Sequence, residues 1–264
     1  MDFADLFLFK LVLSFIVGGL YVAITIRISE KLGSKLGGML IGLPSTVLIS
    51  LIFIAWTQDV TAAVSATPII PVASAISSVF VASFILLYRY GRGVALILSI
   101  LLWFALATPF ILLGINNIAF STILAIVFLS ISISFLKKYP HQKIESKHLS
   151  KKEFIFRAIF AGVIIAISVL LGKLMGPLWG GLFSSFPAAF SSSLFLISKK
   201  YGIEFTSAVA RTMPFGIVGG LVFVIGFFLI VPVYGLVIGL VLSYFLSFLM
   251  AICISNFSKH LNNV

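Results

Sequence analysis

Long apolar runs dominate this chain, and short stretches of charged and turn-forming residues separate them. Nine runs result when the chain is cut at these interruptions, and each approaches the roughly 20 residues that an α-helix needs to cross the bilayer. The runs cover residues 6–26, 36–56, 62–88, 93–114, 117–136, 155–175, 178–198, 205–230 and 232–255. None of them alternates strictly between apolar and polar residues. The pattern therefore predicts an all-α, polytopic membrane protein with about nine transmembrane helices.

Two of the cuts between runs depend on very few residues. Only Gly114-Ile115-Asn116-Asn117 separates the fourth run from the fifth, and the final cut is placed at Pro232 alone. We make both cuts because an uninterrupted helix through either region would be about twice as long as a membrane span requires.

Composition and charge support the membrane assignment and predict an orientation. Charged residues make up 9% of the chain, against about 25% in soluble domains. Lysine and arginine concentrate in alternate connections, in 27–35, 89–92, 137–153, 199–200 and the C-terminal tail. By the positive-inside rule, the N-terminus lies outside the plasma membrane and the C-terminus in the cytoplasm. We read the net charge of +11 as membrane topology, and expect no nucleic-acid partner.

Glycines and prolines recur at a spacing of 143 residues. The matched pairs are Gly33 and Gly176, Gly37 and Gly180, Gly38 and Gly181, Pro44 and Pro187, and Pro71 and Pro214. Because these residue types interrupt helices, chance is a poor explanation for the match. We therefore predict a first four-helix repeat in residues 1–115 and a second in 154–264. A linker helix and a basic cytoplasmic loop occupy 116–153.

The odd number of crossings between the repeats inverts one repeat relative to the other. Inverted repeats are typical of secondary transporters, in which the solute site lies near the bilayer midplane on interrupted helices. A double-barrelled channel has the same four, one, four layout. The pattern thus favours a transporter and leaves the channel open.

Candidate solute-binding residues surround the two matched prolines. Pro44 and Pro187 each remove a backbone N–H group and free a carbonyl one turn back. Hydroxyl groups that lie close by in sequence belong to Ser45, Thr46, Ser184 and Ser185. One interpretation is an unwound segment whose carbonyls and hydroxyls bind solute. The other is a proline kink packed against a neighbouring helix through small residues.

A few basic residues lie inside the predicted spans. Arg211, followed by Thr212, is a candidate for solute binding because intramembrane charges are expensive and usually functional. It could instead reach the inner surface or pair with Glu204. Lys10 and Arg157 lie just inside the first and sixth spans, where they are either gate charges or surface anchors.

The residues that the spans lack narrow the function. No acidic residue or histidine lies in the middle of a span, and no nucleotide-binding or catalytic motif is present. We expect no enzyme activity, cofactor or metal. The favoured function is a secondary transporter or permease for a small neutral or anionic solute. The alternatives are a small-ion channel and a non-transporting membrane scaffold. The lipid bilayer and the solute are the expected partners, and we leave open whether the chain forms a homo-oligomer.

One segment resembles a known family. Phe186-Pro187, the run from Ser198 to Glu204, and then Arg211 and Pro214 resemble the GlpM-like family of small, uncharacterised bacterial inner-membrane proteins. The resemblance covers 178–230 and, more weakly, 36–88. It implies that this chain is a fused, two-repeat form of a unit that elsewhere would pair antiparallel. The first copy lacks the Gly-Ile-Glu and arginine elements.

Overall fold

The computed structural model describes residues 3–31, 43–139 and 150–261, with side chains over 5–29, 43–139 and 150–254. The helices are α1 Phe3–Lys31, α2 Ser45–Thr57, α3 Val60–Ser65, α4 Ile70–Leu87, α5 Arg92–Leu112, α6 Ile118–Leu136, α7 Lys151–Leu174, α8 Pro177–Ser184, α9 Ala188–Ala210 and α10 Met213–Leu261. Short 3₁₀ turns cover Thr67–Ile69 and Tyr88–Tyr90. These ranges contain no strand. Gly33, Gly37 and Gly38 of the predicted repeat lie outside the described residues.

Within the described residues, seven helical segments are long and apolar enough to cross a membrane, so the chain is a multi-pass helical membrane protein. The segments are Asp5–Ser29, Val60–Tyr90, Arg92–Leu112, Ile118–Leu136, Lys151–Leu174, Pro177–Ala210 and Met213–Ile254. Helix α2 is apolar but has only 13 residues, which extend about 20 Å at 1.5 Å per residue.

Helix α10 is a hairpin rather than one straight helix. Its backbone leaves helical geometry at Gly235, where φ is 78° and ψ is 170°. The Ser247 hydroxyl then donates a hydrogen bond of 2.8 Å to the Gly219 carbonyl, so the legs 213–234 and 236–261 run antiparallel.

This turn corrects the predicted boundary at Pro232. Pro232 lies within the helix, three residues before the actual reversal. A reversal needs a backbone angle in the left-handed region, which glycine reaches without steric cost. Proline fixes φ at a helical value and, inside a membrane, can bend a helix without ending it. A similar reversal occurs at Gly91, with φ of 100°, between α4 and α5.

The interrupted segments form the centre of the molecule. In Pro177–Ala210 and Val60–Tyr90, 83% and 78% of the most apolar stretch is buried, whereas in α6 the value is 22%. Helices α1, α5, α6 and α10 carry many exposed apolar side chains, as a surface facing lipid requires. Breaks in the buried segments are therefore shielded from lipid, where their unsatisfied backbone groups would be costly.

Helices α1 and α7 pack against each other in antiparallel directions. The Arg27 guanidinium, late in α1, lies 5.7 Å from the ring centre of Phe154, early in α7. The Lys173 ammonium, late in α7, lies 3.7 Å from the ring centre of Phe7, early in α1. Each contact joins the end of one helix to the beginning of the other.

Candidate functional site

A cavity of about 50 Å³ lies between the two proline-containing breaks. It has room for roughly three to five water molecules, because one water needs about 10–15 Å³ on this measure. Its wall consists of Leu43, Pro44, Ser45, Thr46, Val47, Ser74, Ser77, Ser185, Phe186, Pro187, Ala189, Phe190, Ile217, Gly220 and Val224. None of these side chains is ionisable. The two breaks, far apart in sequence, thus face one small space whose lining is mostly apolar and carries a few polar groups.

The two breaks have almost the same backbone geometry. Pro44 has φ of −76° and ψ of 49°, and Pro187 has φ of −74° and ψ of 49°. In each case the next N–H donates a 2.7 Å hydrogen bond across the proline, from Ser45 to the Leu43 carbonyl and from Ala188 to the Phe186 carbonyl. These angles and bonds define an inverse γ-turn. Helices α2 and α9 begin at the residue after the proline.

The carbonyl groups of the breaks are already hydrogen-bonded. In addition to those of Leu43 and Phe186, the Pro44 carbonyl accepts from the Leu48 N–H and the Pro187 carbonyl from the Ser191 N–H, both at 2.7 Å. The Ser185 carbonyl accepts from the Ser77 hydroxyl at 3.0 Å. These carbonyl groups beside the two prolines are therefore satisfied within the protein.

Several hydrogen-bond donors at the same place have no acceptor among the described residues. Among the described residues, no hydrogen bond is formed by the N–H groups of Val47, Ala189 and Phe190, which belong to the first turns of α2 and α9. The Ser45 side chain is 5% exposed, and its hydroxyl has no partner in the described part of the chain. All four residues are in the cavity wall. The polar surface of the cavity is thus rich in donors.

A buried tryptophan stabilises the second break, the one at Pro187. Trp103, fully buried in α5, donates from its indole N–H to the Ser77 hydroxyl oxygen at 3.0 Å. The Ser77 hydroxyl in turn donates a hydrogen bond to the Ser185 carbonyl. The Trp103 ring also meets the Phe186 ring edge-on at 5.3 Å between centres. Sequence reasoning missed both Trp103 and Ser77. The available signal was a tryptophan in the middle of an apolar span rather than near its end.

Five of the predicted solute-binding residues meet at this cavity, namely Pro44, Ser45, Thr46, Ser185 and Pro187. Ser184 is buried nearby but not in the wall, and its hydroxyl donates to the Gly181 carbonyl at 2.7 Å. The Ser185 hydroxyl donates to the same carbonyl at 3.1 Å. These two hydroxyls therefore stabilise the end of α8 and do not satisfy the carbonyls freed by Pro187.

Arg211 and Thr212 lie away from the cavity wall. The Arg211 guanidinium is half-buried and donates to the Tyr139 carbonyl at 2.8 Å, which joins the end of α6 to the start of α10. The Thr212 hydroxyl is buried and donates to the Val209 carbonyl at 2.9 Å. A role for either residue in binding solute stays a prediction.

The predicted gate residues lie on the antiparallel pair α1 and α7. The Lys10 ammonium donates to the Trp56 carbonyl at 2.7 Å and lies 5.1 Å from the centre of the Trp56 ring. Lys10 thus holds the C-terminal end of α2. Arg157 is 1% exposed, deep within the helical bundle. Neither residue is in the cavity wall, and a gating role stays a prediction for both.

Comparison with known proteins assigns no activity to this arrangement. A family described as "Protein of unknown function (DUF3147)" matches residues 11–118, which run from α1 to the first residue of α6. No curated protein and no solved structure matches the chain. The matched family does not bear out the resemblance to the GlpM-like family, which stays a prediction. The chain is therefore similar, over its first part, to an uncharacterised family.

Proposed function

We propose that the chain is a secondary transporter or permease for a small neutral or anionic solute, working by alternating access between two inverted repeats. The observation that carries this proposal is the central cavity, at which two helices begin through equivalent turns at Pro44 and Pro187. Interrupted helices around a central polar space are the usual form of a transporter site.

Several pairs of features at a spacing of about 143 residues support the repeat. Besides the prolines, the reversals at Gly91 and Gly235 both use a left-handed φ and both separate two antiparallel legs. Within the nine-crossing plan, these reversals precede the last helix of each repeat. The matched family range, 11–118, nearly coincides with the proposed first repeat, 1–115. A family model whose limits fall close to those of the first repeat is consistent with duplication.

The antiparallel packing of α1 and α7 supports the inversion. These helices open the first and second repeats in the proposed plan, so equivalent helices run in opposite directions. Helix α6 provides the single extra crossing that inverts the second unit.

Contacts at the helix ends support the proposed orientation. The Arg92 guanidinium lies 5.7 Å from the Phe195 ring centre, and Arg211 bonds to Tyr139, just beyond Lys138. Each contact joins the neighbourhood of one basic segment to a part of the chain distant in sequence, as expected if these segments share the cytoplasmic side of a plasma membrane. In this orientation the N-terminus lies outside.

Alternating access follows from this arrangement as a mechanism. Small rotations of one repeat against the other would expose the cavity to one side and then the other, while the two breaks keep the solute-binding groups in place. Lys10 would act on the outer side through its bond to the end of α2. Arg157 would act on the inner side. The proposal assigns the chain no enzymatic activity.

A small-ion channel is the second candidate, and the size of the cavity favours it. A space for roughly three to five waters accommodates a small ion together with part of its hydration shell. In that case the same wall would line a narrow, continuous path rather than an occluded site.

Reconstitution into proteoliposomes tests the proposal. Purified protein should give saturable uptake of a small solute, with a rate that depends on the imposed solute gradient. Fast, non-saturating and voltage-dependent current would favour the channel. Absence of flux for cations, anions and neutral solutes alike would overturn both and leave a scaffold role.

A further inference from the structure

Around the cavity, the carbonyl acceptors at the breaks have hydrogen-bond partners, whereas several donors have none in the described structure. Every carbonyl described above at the two breaks already accepts a hydrogen bond, whereas three N–H groups and the Ser45 hydroxyl donate to nothing in the described structure. A buried polar group without a partner usually indicates a bound water or ligand. The open groups here are donors, so their natural ligand is an acceptor.

We infer that the cavity binds a small monovalent anion of halide or nitrate size, which deepens the proposed transport function and rests on it. The anion would accept hydrogen bonds from the N–H groups of Val47, Ala189 and Phe190 and from the Ser45 hydroxyl. These four donors come from both breaks, so an anion between them would join the two halves of the molecule.

Helix dipoles act in the same direction as the open donors. Helices α2 and α9 both begin at the cavity wall, and a helix N-terminus carries a partial positive charge of about half an elementary charge. Two such ends around one low-dielectric space attract an anion and repel a cation. A cation would need oxygen ligands, and the described carbonyl oxygens beside the prolines each already accept one hydrogen bond.

The residues that line the cavity wall favour an anion with a single charge. None of the fifteen residues in the wall has an ionisable side chain, so the described wall supplies no full positive charge to compensate a bound ion. The desolvation penalty rises steeply with charge, which disfavours sulfate and doubly charged phosphate. A volume of about 50 Å³ has room for a halide, nitrate or formate ion.

The hydroxyl groups of the wall place the anion nearer the first half of the chain. Ser74 and Ser77 of α4 are in the wall, and the residues 143 positions later are Ile217 and Gly220. Ser77 is already bonded to Ser185 and Trp103, but Ser74 has no partner among the described residues. Ser45, Ser74 and Thr46 therefore carry the wall hydroxyls that would contact the anion.

The test uses the full-length protein in proteoliposomes loaded with potassium chloride. Valinomycin supplies a potassium pathway, and a chloride electrode records the efflux. Wild-type protein should release chloride, with nitrate competing and sulfate not competing. Ser45→Ala should weaken apparent chloride affinity about tenfold, as expected for loss of one hydrogen bond to a charged group. Ser74→Ala should weaken the apparent chloride affinity less. It replaces Ser45→Ala as the test variant if that protein does not fold.

Ser192→Ala is the matched control. Ser192 is buried in α9 outside the cavity wall, and its hydroxyl bonds only to carbonyls of its own helix. This variant should transport chloride like the wild type. A second readout is thermal: chloride should raise the Tm of detergent-solubilised wild type in a concentration-dependent way, and less so for Ser45→Ala.

The outcomes distinguish failure of the anion site from failure of the proposed transport function. Uptake of a neutral solute or of potassium without anion flux would overturn the anion site and leave transport intact. Anion flux that is equal in wild type, Ser45→Ala and Ser74→Ala would overturn this location for the site. Absence of any flux would overturn the proposed transport function itself.

Discussion

Gly19 of α1 and Gly162 of α7 make a reciprocal contact between the two helices. A Cβ atom on Gly19 would collide with the carbonyl oxygen of Ala158, and a Cβ atom on Gly162 would collide with the carbonyl oxygen of Phe15. Residues 19 and 162 are 143 apart, and so are residues 15 and 158. The contact therefore repeats itself about a local two-fold axis. Close backbone approach through small residues is the usual way in which membrane helices associate.

Substitution of either glycine should destabilise the protein. Gly19→Val and Gly162→Val place side-chain atoms against a backbone carbonyl that cannot rotate away, so the helices must separate. Overpacking of this kind costs about 1–3 kcal/mol. Thermal unfolding in detergent, followed by loss of the monodisperse peak in size-exclusion chromatography, should show a lower Tm for both variants.

Gly93→Ala is the control for these glycine substitutions. Gly93 lies in the first turn of α5 and is exposed, and an alanine methyl group there would meet no packed atom within 4 Å. Its replacement should leave the Tm unchanged or slightly raised, because alanine is the better helix former. Wild-type Tm values for both valine variants would show that α1 and α7 do not pack as described.

Removal of the Ser77 hydroxyl should cost more than removal of an equally buried hydroxyl elsewhere. Ser77→Ala leaves the Trp103 indole N–H and the Ser185 carbonyl without a shared partner, at about 1–3 kcal/mol for each buried group left unsatisfied. Ser192→Ala breaks only bonds within its own helix. Both serines are 3% exposed.

Thermal unfolding and tryptophan fluorescence distinguish the two serine variants. Ser77→Ala should lower the Tm and change the emission of Trp103, since the indole N–H loses its acceptor. Ser192→Ala should change neither. Equal Tm values for the two variants would show that the hydrogen bonds linking Trp103, Ser77 and Ser185 do not stabilise the break at Pro187.

The breaks in the fold were predictable from sequence because proline and glycine act locally. Pro44 and Pro187 cannot supply the N–H that a continuing helix needs, and each helix begins at the residue after them. The last reversal was harder to place, because Pro232 and Gly235 lie three residues apart and either can interrupt a helix. Only the backbone angle at Gly235 identifies it as the turn.

The donors and supports of the site were not predictable, because they depend on tertiary contacts. Sequence indicated hydroxyls and freed carbonyls around the prolines as solute ligands. In the structure the Ser185 carbonyl is bonded to Ser77, which lies 108 residues earlier in the chain. No local pattern specifies such a partner. The same holds for the open N–H groups, which become significant only because α2 and α9 begin at one cavity.

The contact of Lys10 with the end of α2 should stabilise that helix. The ammonium donates to the Trp56 carbonyl in the last turn, where a cation interacts favourably with the helix dipole, by about 0.3–1 kcal/mol. Lys10→Met keeps the apolar stem and removes the charge, so the Tm should fall modestly. Lys152→Met is the matched control, because Lys152 is exposed in the first turn of α7, where a cation is unfavourable. That variant should be neutral or slightly stabilised. An equal fall in Tm for Lys10→Met and Lys152→Met would indicate a general effect of charge removal.

Labelling of single cysteines tests whether the two repeats are inverted. Exposed Cys253 is first replaced by serine, and one cysteine is then introduced at Val60 or at Lys199. Val60 follows α2, and Lys199 lies near the end of the corresponding part of α9, before the break at Gly202. In the inverted arrangement these equivalent regions lie on opposite faces of the membrane.

An impermeant maleimide applied to intact cells should therefore label Val60→Cys, whereas Lys199→Cys should react only after permeabilisation. Asn116→Cys, in the exposed turn between α5 and α6, is the positive control for the outer face, because this uncharged turn lies on the same side as Val60 in the nine-crossing plan. Labelling of Val60→Cys and Lys199→Cys from the same side would contradict the inversion, and with it the alternating-access mechanism. The cavity and its open donors would remain, but as a site between two parallel units.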